Sequence, residues 1–161
     1  MTSIQDIVLT HHSGRELILD DRDYVQPDRN HKPAGLWLSD DADYGWKEWC
    51  TDESWNVDSL VHTRNFVFTV DANILWLSTL EEIVAFSNEY STTIAGINHR
   101  LYIDWKPIVE KYDGILITPY QWQARMSEHT FWYYSWDVAS ACVWNTKVLK
   151  EVSNANAEAV G

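Results

Sequence analysis

The chain has 161 residues, of which 45% are hydrophobic and 22% are charged, and this is the composition of a soluble globular protein with one domain. Its 24 acidic and 12 basic residues give a formal net charge of −12, which argues against the backbone of DNA or RNA as a general electrostatic partner. No apolar run reaches the roughly 18 residues of a membrane-spanning helix. We therefore expect a cytoplasmic protein with neither a membrane segment nor a secretory leader.

The first third of the chain contains its most distinctive pattern. A strand is predicted over 4–10, a turn at 14, a short helix or strand over 16–19, and a loop over 20–32. A buried strand over 35–39 then precedes a segment rich in acidic and aromatic residues. Trp46 and Trp49 are three residues apart and would share one face of a helix. Two interpretations remain open: the strand delivers Ser39 to the wall of an aromatic pocket, or these tryptophans fill the core.

The rest of the chain alternates short strands with a few helices. Strands are predicted over 62–70, 74–77, 100–103, 115–118, 131–136 and 139–144, with irregular segments over 88–98 and 119–130. One helix begins at Ser78 or Thr79, where acidic residues follow in the first turn, and another begins at Asp104. This order predicts the α+β class, with two small, mostly antiparallel sheets around a cleft and short flanking helices. Residues 1–150 would form one domain and residues 151–161 a polar tail.

Several kinds of catalytic or metal site are not indicated by any motif. The chain has no glycine-rich phosphate loop and no Gly-x-Ser-x-Gly sequence. The two cysteines, Cys50 and Cys142, lack metal-ligand spacing, so we expect reduced thiols and no metal. Cys142 lies in an apolar strand, where a thiol is usually inert. Ten tryptophans fit either a pocket that stacks on flat rings or an aromatic core.

Four segments, taken in order, resemble the ADP-ribosyltransferase superfamily in its small bacterial and phage forms. They are Leu9-Thr10-His11-His12-Ser13, Gly35-Leu36-Trp37-Leu38-Ser39, Tyr112-Asp113-Gly114-Ile115 and the closing strands up to residue 145. The match covers most of residues 7–145 in order and spacing, with short motifs. The chain is also similar to uncharacterised phage proteins with a Lys-Pro-x-Gly-Leu-Trp segment and a late Trp-Asp-x-x-Ser segment.

The resemblance implies a site for NAD, which would be a substrate rather than a resident cofactor. His11 would bind the ribose next to nicotinamide, and Ser39 would line the nicotinamide pocket, with Trp37 or Trp46 available to stack. The resemblance also assigns Ser13 and Trp136 to the binding site.

The resemblance further requires an acid close to the ribose, to stabilise the positive charge that develops as nicotinamide leaves. The usual Glu-x-Glu and Gln-x-Glu patterns of the superfamily are missing. Asp137 is the first choice for the acid, Glu128 the second, and Gln121 is a further candidate. Asp137 has an alternative interpretation as a residue that breaks a strand and caps a turn.

Three functional hypotheses follow from these observations. The first is an NAD-dependent ADP-ribosyltransferase that modifies a host macromolecule. The second is a non-catalytic, acidic phage protein that inhibits a host factor by binding a basic surface, as the net charge suggests. The third is a protein that sequesters a nucleotide without turnover. Bound NAD or nicotinamide, seen by thermal shift, would favour the first hypothesis.

Overall fold

The computed structural model describes residues 3–19, 24–26, 30–55, 60–93, 100–125 and 127–152. Its helices are α1 (Trp46–Asp52), α2 (Leu80–Tyr90) and α3 (Lys106–Lys111), with 3-10 helices at Ile4–Asp6, Glu128–Ser135 and Thr146–Val148. Its strands are β1 (Leu9–Ser13), β2 (Leu36–Ser39), β3 (His62–Phe68), β4 (Ile74–Leu77), β5 (Ser91–Thr93), β6 (Arg100–Ile103), β7 (Gly114–Ile117), β8 (Ser140–Val143) and β9 (Leu149–Val152). The mixture of helices and strands is α+β, as predicted.

The strands form one large sheet and one small ribbon. The large sheet has seven strands in the order β4-β7-β8-β2-β1-β3-β9, and β5 pairs only with β6 among the described residues. All neighbours in the large sheet are antiparallel except β4 and β7, which are parallel. The prediction of two small sheets around a cleft is therefore wrong, because seven of the described strands form a single sheet. The alternation of residue types predicts strands but does not say which strands pair, and a parallel pair requires a long crossover, here through α2 and α3.

Alternation along the central strands separates two hydrophobic layers. On β2, Leu36 and Leu38 point to one face of the sheet, which we call face B, and Trp37 and Ser39 point to the other, face A. Helices α2 and α3 and the 3-10 helix at 128–135 cover face A, and three tryptophans from this side of the molecule are fully buried. They are Trp105, Trp132 and Trp136. Four of the ten tryptophans, including Trp144, are therefore buried in the core, and the other six are partly buried or exposed.

The Tyr-Asp-Gly segment joins three strands of the sheet. The Asp113 carboxylate accepts hydrogen bonds from the backbone N–H of Asn73, at 2.9 Å, and from the side-chain amide of Asn145, at 2.9 Å. Its backbone oxygen accepts from the N–H groups of Trp144 and Asn145. Asp113 thus connects the beginning of β4, the beginning of β7 and the end of β8. The Tyr-Asp-Gly segment, which contributes to the family resemblance, therefore has a structural role in this fold because it connects three strands.

Several predicted elements have the bounds that the sequence indicated. Strands β4 and β6 coincide with the predictions over 74–77 and 100–103, and β2 agrees within one residue. Helix α2 begins after Thr79, whose hydroxyl accepts a hydrogen bond from the backbone N–H of Glu82. The predicted irregular segment over 88–98 in fact contains the end of α2 and all of β5, and residues 94–98 lie outside the described part.

Other predictions differ from the structure. Residues 131–136 do not form a strand: residues 131–135 belong to the 3-10 helix at 128–135 and Trp136 caps it, because burial of Trp132 and Tyr133 on face A overrides the strand preference of an aromatic run. The first strand begins at Leu9, since residues 4–6 form a 3-10 helix with a capping box. Residues 16–19 form neither helix nor strand. Strand β9 was not predicted, and it extends to Val152, within the segment assigned to the tail.

Candidate functional site

A cleft of about 400 Å³ opens beside the junction of β1 and β2. The two strands share a single antiparallel pair, Thr10 with Ser39, whereas all of β1 is paired with β3. The cleft lies next to this short junction. Fourteen residues line it, from β1 and the turn after it, β2 and the segment before it, α1, and the beginning of β8 with the segment before it. They are Thr10, His11, His12, Ser13, Gly14, Lys32, Trp37, Leu38, Ser39, Trp46, Trp136, Asp137, Val138 and Ser140.

The structure brings together seven of the nine residues that the sequence assigned to a site. The six expected to bind the ligand all line the cleft: His11, Ser13, Trp37, Ser39, Trp46 and Trp136. Of the three candidate catalytic residues, only Asp137 does so. These residues come from positions more than 120 apart in the chain, and the sheet order places β8 beside β2 and β2 beside β1.

The aromatic wall consists of rings with different exposure. Trp136 is buried and packs edge-to-face against Trp37, with ring centroids 4.9 Å apart. Its indole N–H donates to the backbone oxygen of His31 at 3.3 Å. Trp37 is partly exposed, and Trp46 is partly exposed and stacked on Trp49 at 5.1 Å. Trp37 and Trp46 are therefore the rings on which a flat ligand can pack.

One of the two ring nitrogens of His11 is hydrogen-bonded to the protein. Its Nδ1 lies 3.0 Å from the backbone oxygen of Trp37. Because a carbonyl oxygen only accepts, Nδ1 carries the proton in this contact. In the neutral ring Nε2 is then an acceptor, and it makes no hydrogen bond to the described residues. His11 can accept a hydrogen bond from a ligand hydroxyl only through Nε2.

His12 belongs to a chain of hydrogen bonds at the edge of the cleft. Side chains alternate along a strand, so His11 and His12 leave β1 on opposite faces. The Nε2 of His12 donates to the carboxylate of Asp41 at 2.7 Å, and the other oxygen of this carboxylate accepts from the Ser39 hydroxyl, also at 2.7 Å. The Nδ1 of His12 lies 3.2 Å from the hydroxyl of Thr63. Since Asp41 separates Ser39 from His12, the His12 imidazole is not placed to activate the Ser39 hydroxyl.

Asp137 is the carboxyl group of the cleft. One of its oxygens lies 3.6 Å from a guanidinium nitrogen of Arg125. Burial raises the pKa of Asp137, while the positive charges of Lys32 and Arg125 oppose this effect. Among the described residues no hydrogen bond supports the alternative interpretation of Asp137 as a turn cap.

The other two catalytic candidates lie outside the cleft. Glu128 is exposed in the first turn of its 3-10 helix. The side-chain amide of Gln121 donates to the backbone oxygens of Ser78, at 3.0 Å, and Pro119, at 3.1 Å. The structure therefore separates both from Asp137, and Gln121 has a structural role that the sequence did not indicate.

Lys32 is a cleft residue to which the sequence assigned no role. Its ammonium nitrogen lies 5.4 Å from the centre of the Trp37 ring. Burial lowers the pKa of Lys32, and Asp137 opposes this effect. The only signal in the sequence was its position just before Pro33 and β2, which does not distinguish a pocket lysine from a surface lysine.

The cysteines are structural. Cys142 is completely buried on β8, and burial raises the pKa of its thiol far above the ordinary range. The thiol contacts the backbone oxygen of Pro33 at 3.7 Å. Cys50 is also buried, and the two cysteines are not bonded to each other. A buried thiol with a raised pKa is a poor nucleophile.

The described ranges contain neither a cluster of metal ligands nor a membrane-spanning helix. Within them, no group of three or more histidine, cysteine or acidic side chains could hold a metal ion. No helix in the same part of the chain is long and apolar enough to cross a membrane.

A second surface of interest lies on and after α1. Trp46 and Trp49 are stacked, and Trp55, which is 52% exposed, packs edge-on against both. The acidic residues Glu48, Asp52 and Glu53 are exposed on the same short segment. We call this surface, defined by the three tryptophans and three acids, the acidic tryptophan patch.

Comparison with known proteins identified no relative of this chain. No family model matches the chain, and no significant match was found among curated proteins or solved structures.

Proposed function

We propose that the cleft binds the nicotinamide end of NAD and that the protein is an ADP-ribosyltransferase-like enzyme acting on a host macromolecule. One observation carries this proposal: the residues expected to bind the ligand and the preferred acid, Asp137, line the same cleft. The volume of about 400 Å³ lies within the range of about 300–1,000 Å³ that is usual for small-molecule sites. The sheet arrangement does not contribute to the proposal, because seven of the described strands form a single sheet.

The contacts in the cleft suit the parts of a nucleoside. The partly exposed ring of Trp37 offers a flat surface for nicotinamide. The available Nε2 of His11 can accept a hydrogen bond from a ribose hydroxyl. The carboxylate of Asp137 can stabilise the positive charge that develops on the ribose as the bond to nicotinamide breaks. Each role uses a group that the protein itself leaves accessible to the cleft.

The test combines NAD binding with release of nicotinamide. Titration calorimetry measures the affinity, and chromatography measures free nicotinamide. We expect His11→Ala to weaken binding by about 1 kcal/mol through loss of one hydrogen bond. We expect Asp137→Asn to retain binding and to reduce turnover by on the order of a hundredfold or more. Glu128→Gln is the matched control, because Glu128 lies outside the cleft, and it should change neither quantity.

Two outcomes would count against the transferase. If no NAD binds at millimolar concentration, the cleft has another ligand. If NAD binds but no variant changes nicotinamide release, sequestration of a nucleotide is the better account. The positive charges of Arg125 and Lys32 already interact with the Asp137 carboxylate. This carboxylate would therefore stabilise a positively charged transition state less strongly, which favours sequestration over turnover.

The acidic tryptophan patch supports a second candidate function, inhibition of a host factor by binding a basic surface. Exposed acids next to exposed tryptophans can bind lysine or arginine by charge attraction and cation–π contact. The probe is an oligo-arginine peptide, and Trp55→Ala should weaken its binding. Trp122→Ala is the matched control, because Trp122 is 56% exposed but lies outside the patch. Equal loss in both variants would indicate attraction by the overall net charge alone.

A further inference from the structure

The side chain of Lys32 has a hydrogen-bonding capacity that none of the described residues uses. An ammonium group carries three donors. Lys32 lines the cleft, and its nitrogen lies over the Trp37 ring, 5.4 Å from its centre. It makes neither a hydrogen bond nor an ion pair with any described residue. An amine in a cleft that has no acceptor among the described residues can bind a ligand.

The charges around Lys32 argue against a strongly anionic group as its partner. Asp137 lines the same cleft and acts on Lys32 at longer range, and it is already paired with Arg125. Asp41 adds a second carboxylate at the edge of the cleft, through its contact with His12. The protein as a whole has a formal net charge of −12. These negative charges disfavour an anionic group and favour a neutral one with an acceptor oxygen, such as a carbonyl.

The environment also favours the reactive form of the amine. Burial lowers the pKa of Lys32, which increases the share of neutral amine, and burial raises the pKa of Asp137, which increases the share of protonated acid. A lysine placed in an aromatic, partly desolvated pocket is the usual origin of a nucleophilic amine. The Asp137 carboxyl lines the same cleft and, in its protonated form, is a suitable proton donor for the same reaction.

We propose that Lys32 is a nucleophilic amine that binds an aromatic aldehyde or ketone in the cleft as an imine. The lone pair of the neutral nitrogen attacks the carbonyl carbon, and the electrons of the C=O double bond move to oxygen, which takes up a proton. The nitrogen loses a proton to give a carbinolamine. Protonation of its hydroxyl by Asp137 lets water leave as the C=N bond forms, and the imine then loses its remaining N–H proton to the carboxylate. One amine and one carbonyl thus give one imine and one water, without oxidant or reductant, and this inference does not depend on NAD binding.

The test traps the imine with benzaldehyde as the probe. The folded protein is treated with benzaldehyde and sodium cyanoborohydride, which reduces an imine to a stable benzylamine, and peptide mass spectrometry gives the rate at each lysine. We expect Lys32 to be labelled at least tenfold faster than Lys47 and Lys147, which are exposed. The Lys32→Arg variant keeps the positive charge and cannot form the imine, so the fast adduct should disappear while labelling of Lys47 and Lys147 is unchanged.

Two results would overturn the proposal. One is equal labelling of Lys32 and Lys47 in the folded protein, or no labelling of Lys32. The other is a rate advantage of Lys32 that persists in urea, because the advantage would then come from the local sequence and not from the cleft. Thermal melting of Lys32→Arg establishes that the variant is folded before its labelling is compared.

Discussion

Gly35 immediately precedes β2, which carries Trp37 and Ser39 into the cleft, and its lack of a side chain is required by the packing. A Cβ atom at this position would lie 2.7 Å from the Sγ of Cys142, 2.8 Å from the backbone oxygen of Val143 and 3.0 Å from its carbonyl carbon. Two of these three atoms belong to the backbone of β8, so β2 must move away from β8 to accept the methyl group. We expect Gly35→Ala to lower the free energy of unfolding by about 1–3 kcal/mol, which is the usual cost of overpacking.

A double-mutant cycle in urea tests this reasoning. The variants are Gly35→Ala, Cys142→Ala and the double mutant, each measured by the midpoint of unfolding at constant slope. Removal of the Cys142 sulfur relieves the shortest contact, so the double mutant should be less destabilised than the sum of the single mutants, by about 0.5 kcal/mol or more. An unchanged midpoint for Gly35→Ala, or additivity within about 0.3 kcal/mol, would refute the close-packing explanation.

Three further predictions concern other parts of the fold. Ser87→Ala should cost about 1–3 kcal/mol in urea unfolding, because the buried indole N–H of Trp132 loses its acceptor at 3.1 Å, and an unchanged midpoint would contradict this. Burial raises the pKa of Tyr120 to about 12, which is above the value of about 10 expected in the unfolded chain. Its contribution to stability should therefore be complete below pH 10 or so and be lost as the pH rises toward about 12, and alkaline melting of Tyr120→Phe should lack this loss. Glu151→Gln removes the exposed pair with Arg64, at 2.7 and 2.8 Å, and should cost about 0.5 kcal/mol, less in high salt; a larger, salt-independent loss would point to packing instead.

The experiments on the cleft separate the two proposals made for it. Lys32→Arg retains the positive charge near Asp137, so it tests imine formation without removing the carboxyl group expected to act on NAD. NAD turnover that depends on Asp137 together with slow labelling of Lys32 would support the transferase alone. Fast labelling of Lys32 without NAD binding would support carbonyl capture alone.

Local patterns in the sequence determined the elements whose signals are contained in neighbouring residues. The bounds of β4 and β6 followed from short apolar segments, and the beginning of α2 followed from Thr79 and the acids after it. The sequence also selected seven of the fourteen residues that line the cleft, because a polar residue at the end of an apolar strand is visible without knowledge of the fold. His11 and Ser39 are examples.

Tertiary structure alone decided which strands pair and which polar groups meet. The parallel pairing of β4 with β7 depends on a crossover of more than thirty residues, and no local pattern specifies it. Asp137 lies in the cleft and Glu128 outside it because the segment 128–135 is a 3-10 helix packed on face A, although its aromatic residues favour a strand. The role of Lys32 depends on Trp37 and on a carboxyl group 105 positions later in the chain. Burial and the distance between charges determine such a role, and both are properties of the folded chain.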